Sequence, residues 1–225
     1  MQTKRRTRRR LPSLLLAGVL AVTTSVTAPV TSQAAGTENT ELNNPRVVMN
    51  TCDTVYFGSY WQEDTNGDGK VDQTDKKQPI RWRILSQDGD DAYVIADKVL
   101  DCKPYNTNGV TITGEDGVTR TDYSCTWETS TLRTWLNSDF YNTAFSADEK
   151  GVIIEQTLKN EDNEEYGTAG GNDTKDKVYL PSLADIKNPV YGFSDDYYFC
   201  DQARIGKATS YAKAQGVYPN GEMGS

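Results

Sequence analysis

The residues whose types and spacing best fit a chemical task run from Asp64 to Asp75, DTNGDGKVDQTD. Side-chain oxygens stand at the first, third, fifth, ninth and twelfth places, and a glycine stands at the sixth. In a calcium loop of EF-hand type those places bind the ion, the glycine makes the tight turn and the seventh residue offers its carbonyl. Asp64, Asn66 and Asp68 would supply the first three oxygens and Lys70 its backbone carbonyl. Asp72 would act at nine, often through water, and Asp75 would close the shell. Four carboxylates gathered in one loop repel each other, and a cation converts that repulsion into order. The expected role is structural. The competing reading is a solvated Asn/Gly/Asp connection that holds no ion.

Aspartate at the closing place, where glutamate is usual, is similar to dockerin loops. The flanks do not make an EF-hand, because a strand pattern precedes the loop and Pro79 leaves no room for an exiting helix. The loop therefore reads as an insertion between strands.

Other chemistry is poorly supplied. The chain has no histidine, which excludes serine triads, papain-type dyads and histidine metalloprotease motifs. No phosphate-cradling glycine loop is present, and YGTAGGND, from Tyr166 to Asp173, reads as a flexible surface loop. The 32 acids bring carboxylates near one another by chance, and none forms a distinctive pair for glycoside hydrolysis. The run from Glu161 to Glu165 reads as a solvated charged loop. Trp127 and Trp135, at helical spacing, suit core packing better than sugar stacking. No catalytic residue is assigned, and the expectation is a protein that is not an enzyme.

Composition sets the compartment. Lys4, Arg5, Arg6, Arg8, Arg9 and Arg10 precede an apolar run from Leu11 to Val30, and Ser32-Gln33-Ala34 offers small residues for cleavage. Residues 1–34 read as a signal peptide, with the export route left open. Thr23, Thr24, Ser25, Thr27 and Pro29 dilute the run, so no stable membrane span is expected after cleavage. Loss of those six positive charges takes the formal net charge from -8 to -14. So acidic a chain repels phosphate backbones, and nucleic acid is excluded as a partner. Secreted or cell-surface placement also exposes the chain to calcium high enough to fill a weak site.

Residues 35–51 are polar and aperiodic and read as a linker, leaving 52–225 as one domain. Cys52, Cys102, Cys125 and Cys200 lack any C-x-x-C spacing, which with the missing histidine argues against zinc. Four cysteines in an exported chain admit three pairings. Cys102 with Cys125 is preferred, because closing the loop between them would stabilise the fold by ~3 kcal/mol. Four unpaired thiols are the alternative.

The elements that would position these groups follow from periodicity. TVYFGSYW from Thr54, PIRWRIL from Pro79 and DAYVIADKVL from Asp91 read as a meander, with Asp88-Gly89 as the second turn. Alternation puts Ile80, Trp82 and Ile84 on one face and Arg81, Arg83 and Leu85 on the other. Leu132, Trp135 and Leu136 mark a helix capped by Thr129 or Ser130. Ser146 to Glu149 is a capping box. A loop from Asn160 to Asp176 precedes a strand in KVYLPS, a turn capped by Ser182, and a helix in TSYAKAQG that ends at Gly216.

These segments in this order resemble a family of domains in exported bacterial proteins, domain-of-unknown-function family 6273. The resemblance runs from Val55 to Gly216, and W-x-x-S-x-L-R-x-W-L-N, Trp127 to Asn137, is its most specific string. It implies an α+β fold, C-type-lectin-like, with a twisted antiparallel sheet and short helices, related to formylglycine-generating enzymes. Family members run on into a further Trp-Leu-Arg-Ser segment, so the resemblance also implies a truncated, incomplete domain. It transfers no catalytic residue. The expected function is a noncatalytic extracellular module that binds a glycan or an extracellular protein and carries a structural calcium loop. A formylglycine-generating or carboxylate-dependent enzyme is one alternative, and an adhesin or stalk spacer is another. Ligand identity and oligomeric state are not written in the sequence.

Overall fold

The computed structural model describes residues 21–25, 54–196 and 201–217. The basic start of the chain, the linker 35–51, Cys52 and Cys200 lie outside the described residues.

Strands β1 (Ala21–Ser25), β2 (Thr54–Tyr60), β3 (Gln78–Asp88) and β4 (Asp91–Ala96) belong to the main sheet. Short strands β5 (Lys98–Val99), β6 (Val110–Thr113), β7 (Thr119–Asp122) and β8 (Gln156–Leu158) follow along the chain. Then come β9 (Thr174–Asp176), β10 (Val178–Tyr179) and β11 (Lys207–Ala208). The helices are short: α1 (Thr131–Trp135), α2 (Tyr141–Ala144), α3 (Ala147–Val152), α4 (Leu183–Ile186) and α5 (Ser210–Ala214). The class is α+β, with several open sheets. The main sheet has the order β10-β1-β4-β3-β2 and is antiparallel throughout.

The expected meander is present as β2, β3 and β4, and Gly89 turns the second hairpin with φ +59°. Ile80, Trp82 and Ile84 lie in the main core, as their alternation requires. The opposite face is not left to solvent. Leu85, on that face as the alternation has it, packs in a second cluster with Ile95 and Phe193, flanked by Tyr93 and Tyr191, and the register shifts between Ile84 and Ser86. An inserted residue in one strand bends it and re-aims its side chains. Period-two counting therefore fails beyond Leu85.

Gly58 is required by geometry. It has φ +68° at the irregularity in β2, and a Cβ there would meet Phe145 ring carbons at 2.7 Å and the Ala144 carbonyl oxygen at 2.9 Å. The Gly58 amide donates to Glu149 Oε1 at 2.8 Å, so the capping box of α3 also ties that helix to the sheet. Ser130, Ser182 and Thr209 cap α1, α4 and α5, and Gly216 adopts φ +105° just past the last helix. Between α1 and α2 the backbone widens into a π-helical turn, Leu136–Phe140, which buries Leu136 and Phe140.

Two expectations need correction. The stretch between Cys102 and Cys125 contains the β6–β7 hairpin, and the end of the Asn160 to Asp176 loop is strand β9, paired with β8. QTL and TKD carry little apolar alternation, so the β8–β9 pairing was not visible by pattern, whereas Val110 and Ile112 do alternate with threonines in β6 and that signal went unread. The third surprise is β1, whose residues belong to the segment read as a leader yet pair with both β4 and β10.

Candidate functional site

The Asp64–Asp75 loop folds as a nest of backbone amides around its own acids. Asp64 accepts from the Gly67 amide at 2.6 Å and the Gly69 amide at 2.9 Å. Asn66 Oδ1 takes the Asp68 amide at 2.9 Å, and Asp68 takes the Lys70 amide at 2.8 Å. Asp72 accepts from Thr74 through both amide and hydroxyl. Gly67 and Gly69 both have positive φ, which lets the chain turn tightly enough for these bonds. Asp75, the closing residue, is buried and reaches back to the loop's start. It accepts from the Thr65 amide at 2.6 Å, the Asn66 amide at 3.2 Å and the Asp72 amide at 3.0 Å.

These bonds hold two acids charged. The Thr74 hydroxyl and then its amide keep the Asp72 carboxyl below the ordinary aspartate range. The Asp72 amide and then the Thr65 amide do the same for Asp75. The loop is fixed to the body as well: Gln73 donates to the Tyr211 hydroxyl at 3.3 Å, and Gln62 donates to the carbonyls of Gln78 and Pro79. Six candidate ligands, Asp64, Asn66, Asp68, Lys70, Asp72 and Asp75, thus share one ordered turn. Among the described residues no group of three or more His, Cys, Asp or Glu side chains stands close enough to hold a metal ion as they are arranged. The acids face amides rather than a common point.

Cys102 and Cys125 are free thiols, each partly buried, so the preferred disulfide is not formed in the structure. Burial pushes both thiols upward, and the Asp101 carboxylate adds to the effect at Cys102. Asp101 is itself buried, where it accepts from the Tyr60 hydroxyl at 2.7 Å and lies 3.6 Å from Lys103 Nζ.

Sequence reasoning missed the acid with the most demanding surroundings. Asp176 is 1% exposed. It accepts from Arg133 Nε at 2.7 Å, from Trp127 Nε1 at 3.0 Å and from the Thr174 hydroxyl at 2.7 Å. Asn137 completes the join: its Oδ1 accepts from the Lys177 and Val178 amides, and its Nδ2 donates to the Val178 carbonyl at 2.9 Å. Ser130, fully buried, caps α1, while Leu132 and Leu136 enter the core. Trp127, Arg133 and Asn137 thus clamp β9 and β10 to the helical segment, while Trp135 packs against the core beside Leu132 and Leu136. The available signal was the string itself. The partner acid, more than forty residues away in a polar stretch, carried none.

Residues 108–218 match the family model of a domain of unknown function, DUF6273. The matched segment contains the Asp176 clamp and begins after the Asp64–Asp75 loop and strands β2 to β5. No curated protein and no solved structure matches the chain. Outside the DUF6273 segment and within it, no helix of the described residues is long and apolar enough to cross a membrane.

Proposed function

We propose that this chain is a noncatalytic extracellular binding module of C-type-lectin-like kind, secreted or held at the cell surface, whose ligand is a glycan or another exported protein. The Asp64–Asp75 loop serves it as a structural calcium site. The observation that carries this reading is the closure of the loop on Asp75, which holds Asp64, Asn66, Asp68 and Asp72 within one turn of oxygen-bearing side chains.

Calcium prefers such hard oxygen donors in flexible shells. Asp64, Asn66, Asp68, Asp72 and Asp75 would hold it with the Lys70 carbonyl, and the ion would neutralise their mutual repulsion. Because these side chains now accept from amides, binding requires them to turn toward a shared centre while keeping one acceptor contact each. A carboxylate has lone pairs enough for both. The acids serve as turn-formers rather than as an acid and base facing a cleft, which favours a scaffold over a reaction centre. Val110, Ile112, Val118 and Tyr123 stand exposed on and beside the β6–β7 hairpin and offer apolar contact to a ligand.

The test is a glycan array probed with the full chain in calcium and again in chelator. The expected result is a defined set of glycans retained in calcium and weakened in chelator. Turnover of a glycoside substrate, or of a cysteine-containing peptide, would contradict the noncatalytic assignment.

A further inference from the structure

Three lysines gather on the short helix α2, each bound to one of three successive residues. Lys177 Nζ donates to the Tyr141 hydroxyl at 3.3 Å, and Lys77 Nζ donates to the Thr143 carbonyl at 2.6 Å. Between them Lys150 Nζ donates to Asn142, to the side-chain oxygen at 3.0 Å and the carbonyl at 3.4 Å. The lysines come from separate segments: the residue before β3, helix α3, and the link between β9 and β10. Aromatic rings hold them as well. Lys150 Nζ and Lys177 Nζ lie 5.4 and 5.0 Å from the centre of the Tyr141 ring, and Lys77 Nζ lies 4.9 Å from that of Trp61.

These contacts place the ammonium groups without neutralising them. Among the described residues none of the three makes an ion pair, in a chain where 32 acids face 24 lysines and arginines. Lys103 and Lys159 show the other outcome, each facing a carboxylate, Asp101 and Asp173. Glu149, the neighbour of Lys150, turns its two oxygens to the Ser146 and Gly58 amides instead. The carbonyl end of a helix carries about half a negative charge, and a ring face attracts a cation without any net charge, so roughly two and a half positive charges stay uncompensated. Each ammonium has three donors, and the bonds to α2 do not use them all. Lys77 is exposed, and Lys150 and Lys177 are half-buried.

We infer that Lys77, Lys150 and Lys177 form a binding site for an oxyanion, either the carboxylate of an acidic sugar or a free sulfate. The lysines are already held by α2 and the two rings, so less side-chain freedom is lost when the anion arrives. Charge supplies the selectivity, because an uncharged sugar gains nothing from three ammonium groups beyond ordinary hydrogen bonds. The sugar source rests on the glycan reading proposed above, whereas the lysine geometry does not.

The experiment is titration calorimetry of the full chain at low salt with trigalacturonate, with the uncharged galactose trimer and with sodium sulfate. Chelator is present throughout, so that calcium cannot bridge a sugar carboxylate to the acidic loop. The expected result is that trigalacturonate binds at least about tenfold more tightly than the neutral trimer and that sulfate competes with it. Lys150→Gln and Lys177→Gln should each weaken trigalacturonate at least about tenfold. Both variants should melt near the parent chain, and Lys177→Arg, which keeps the charge, should recover most of the affinity. Lysine-dependent sulfate binding without uptake of trigalacturonate supports the anion site and removes its glycan source. Uptake of the neutral trimer alone leaves the glycan reading standing and overturns the site. The site is overturned equally if both Gln variants bind trigalacturonate like the parent, or if the parent binds neither anion.

Discussion

Two aspartates, Asp75 and Asp176, each gather several donors, but they draw them from different distances. Every donor to Asp75 comes from within its own turn, the farthest being Thr65, ten residues away. Asp176 takes Trp127 from 49 residues away and Arg133 from 43, and it is almost wholly excluded from water. One acid shapes a loop. The other joins the helical segment to the β9–β10 strands and cannot lose its partners without leaving charge in a dry place. A local acid cluster can be replaced by solvent with modest loss, whereas a buried long-range acid cannot.

The sharpest break is Asp176→Ala. It leaves the Arg133 guanidinium and the Trp127 indole N–H without their acceptor, and the expected loss is about 3 kcal/mol or more by chemical denaturation. A loss within about 0.5 kcal/mol, the usual range of a surface change, would deny the clamp its role. Asn137→Ala removes a side chain that bonds both to β10 and to its own helix, and about 2 kcal/mol should go. Asn137→Asp should recover part of it, because the acceptor to the Lys177 and Val178 amides survives.

How much of this was legible beforehand follows the same divide. The Asp64–Asp75 motif, the caps at Ser130, Ser146 and Ser182, and the alternation of Ile80, Trp82 and Ile84 are patterns within a few residues, and local physics decides them. The bulge near Leu85, the β8–β9 pairing and the placement of Ala21–Ser25 in the main sheet depend on contacts between distant segments. Trp127 to Asn137 lay between: the string was conspicuous, but its partner Asp176 lies in a polar stretch with no periodicity. Cys102 and Cys125 flank an ordered hairpin and remain thiols in the structure.

Those thiols supply a smaller test. Burial raises both above their ordinary range, so at neutral pH the folded chain should alkylate at Cys102 and Cys125 several-fold more slowly than the unfolded chain. Mass spectrometry of the alkylated protein checks this. Equal rates would place both side chains in open solvent.

The smallest effect concerns pH. Asp72 and Asp75 ionise below the ordinary aspartate range in the folded chain. Groups depressed by folding stabilise the native state above their unfolded pKa, and that contribution fades as pH falls through the folded value. Urea midpoints should therefore fall as the pH drops below about 4, and the fall should be shallower in Asp75→Asn. An identical slope in the variant would remove Asp75 from the loop's acid response.

The most direct test of the calcium loop is titration calorimetry of the full chain beside Asp64→Ala, with thermal melts of both in calcium and in chelator. Heat fitting one site and a higher Tm in calcium for the parent chain, both lost in Asp64→Ala, is the predicted result. No heat from the parent chain, with melting temperatures unmoved by calcium, would contradict it and leave the twelve residues as a polar turn closed by their own amides.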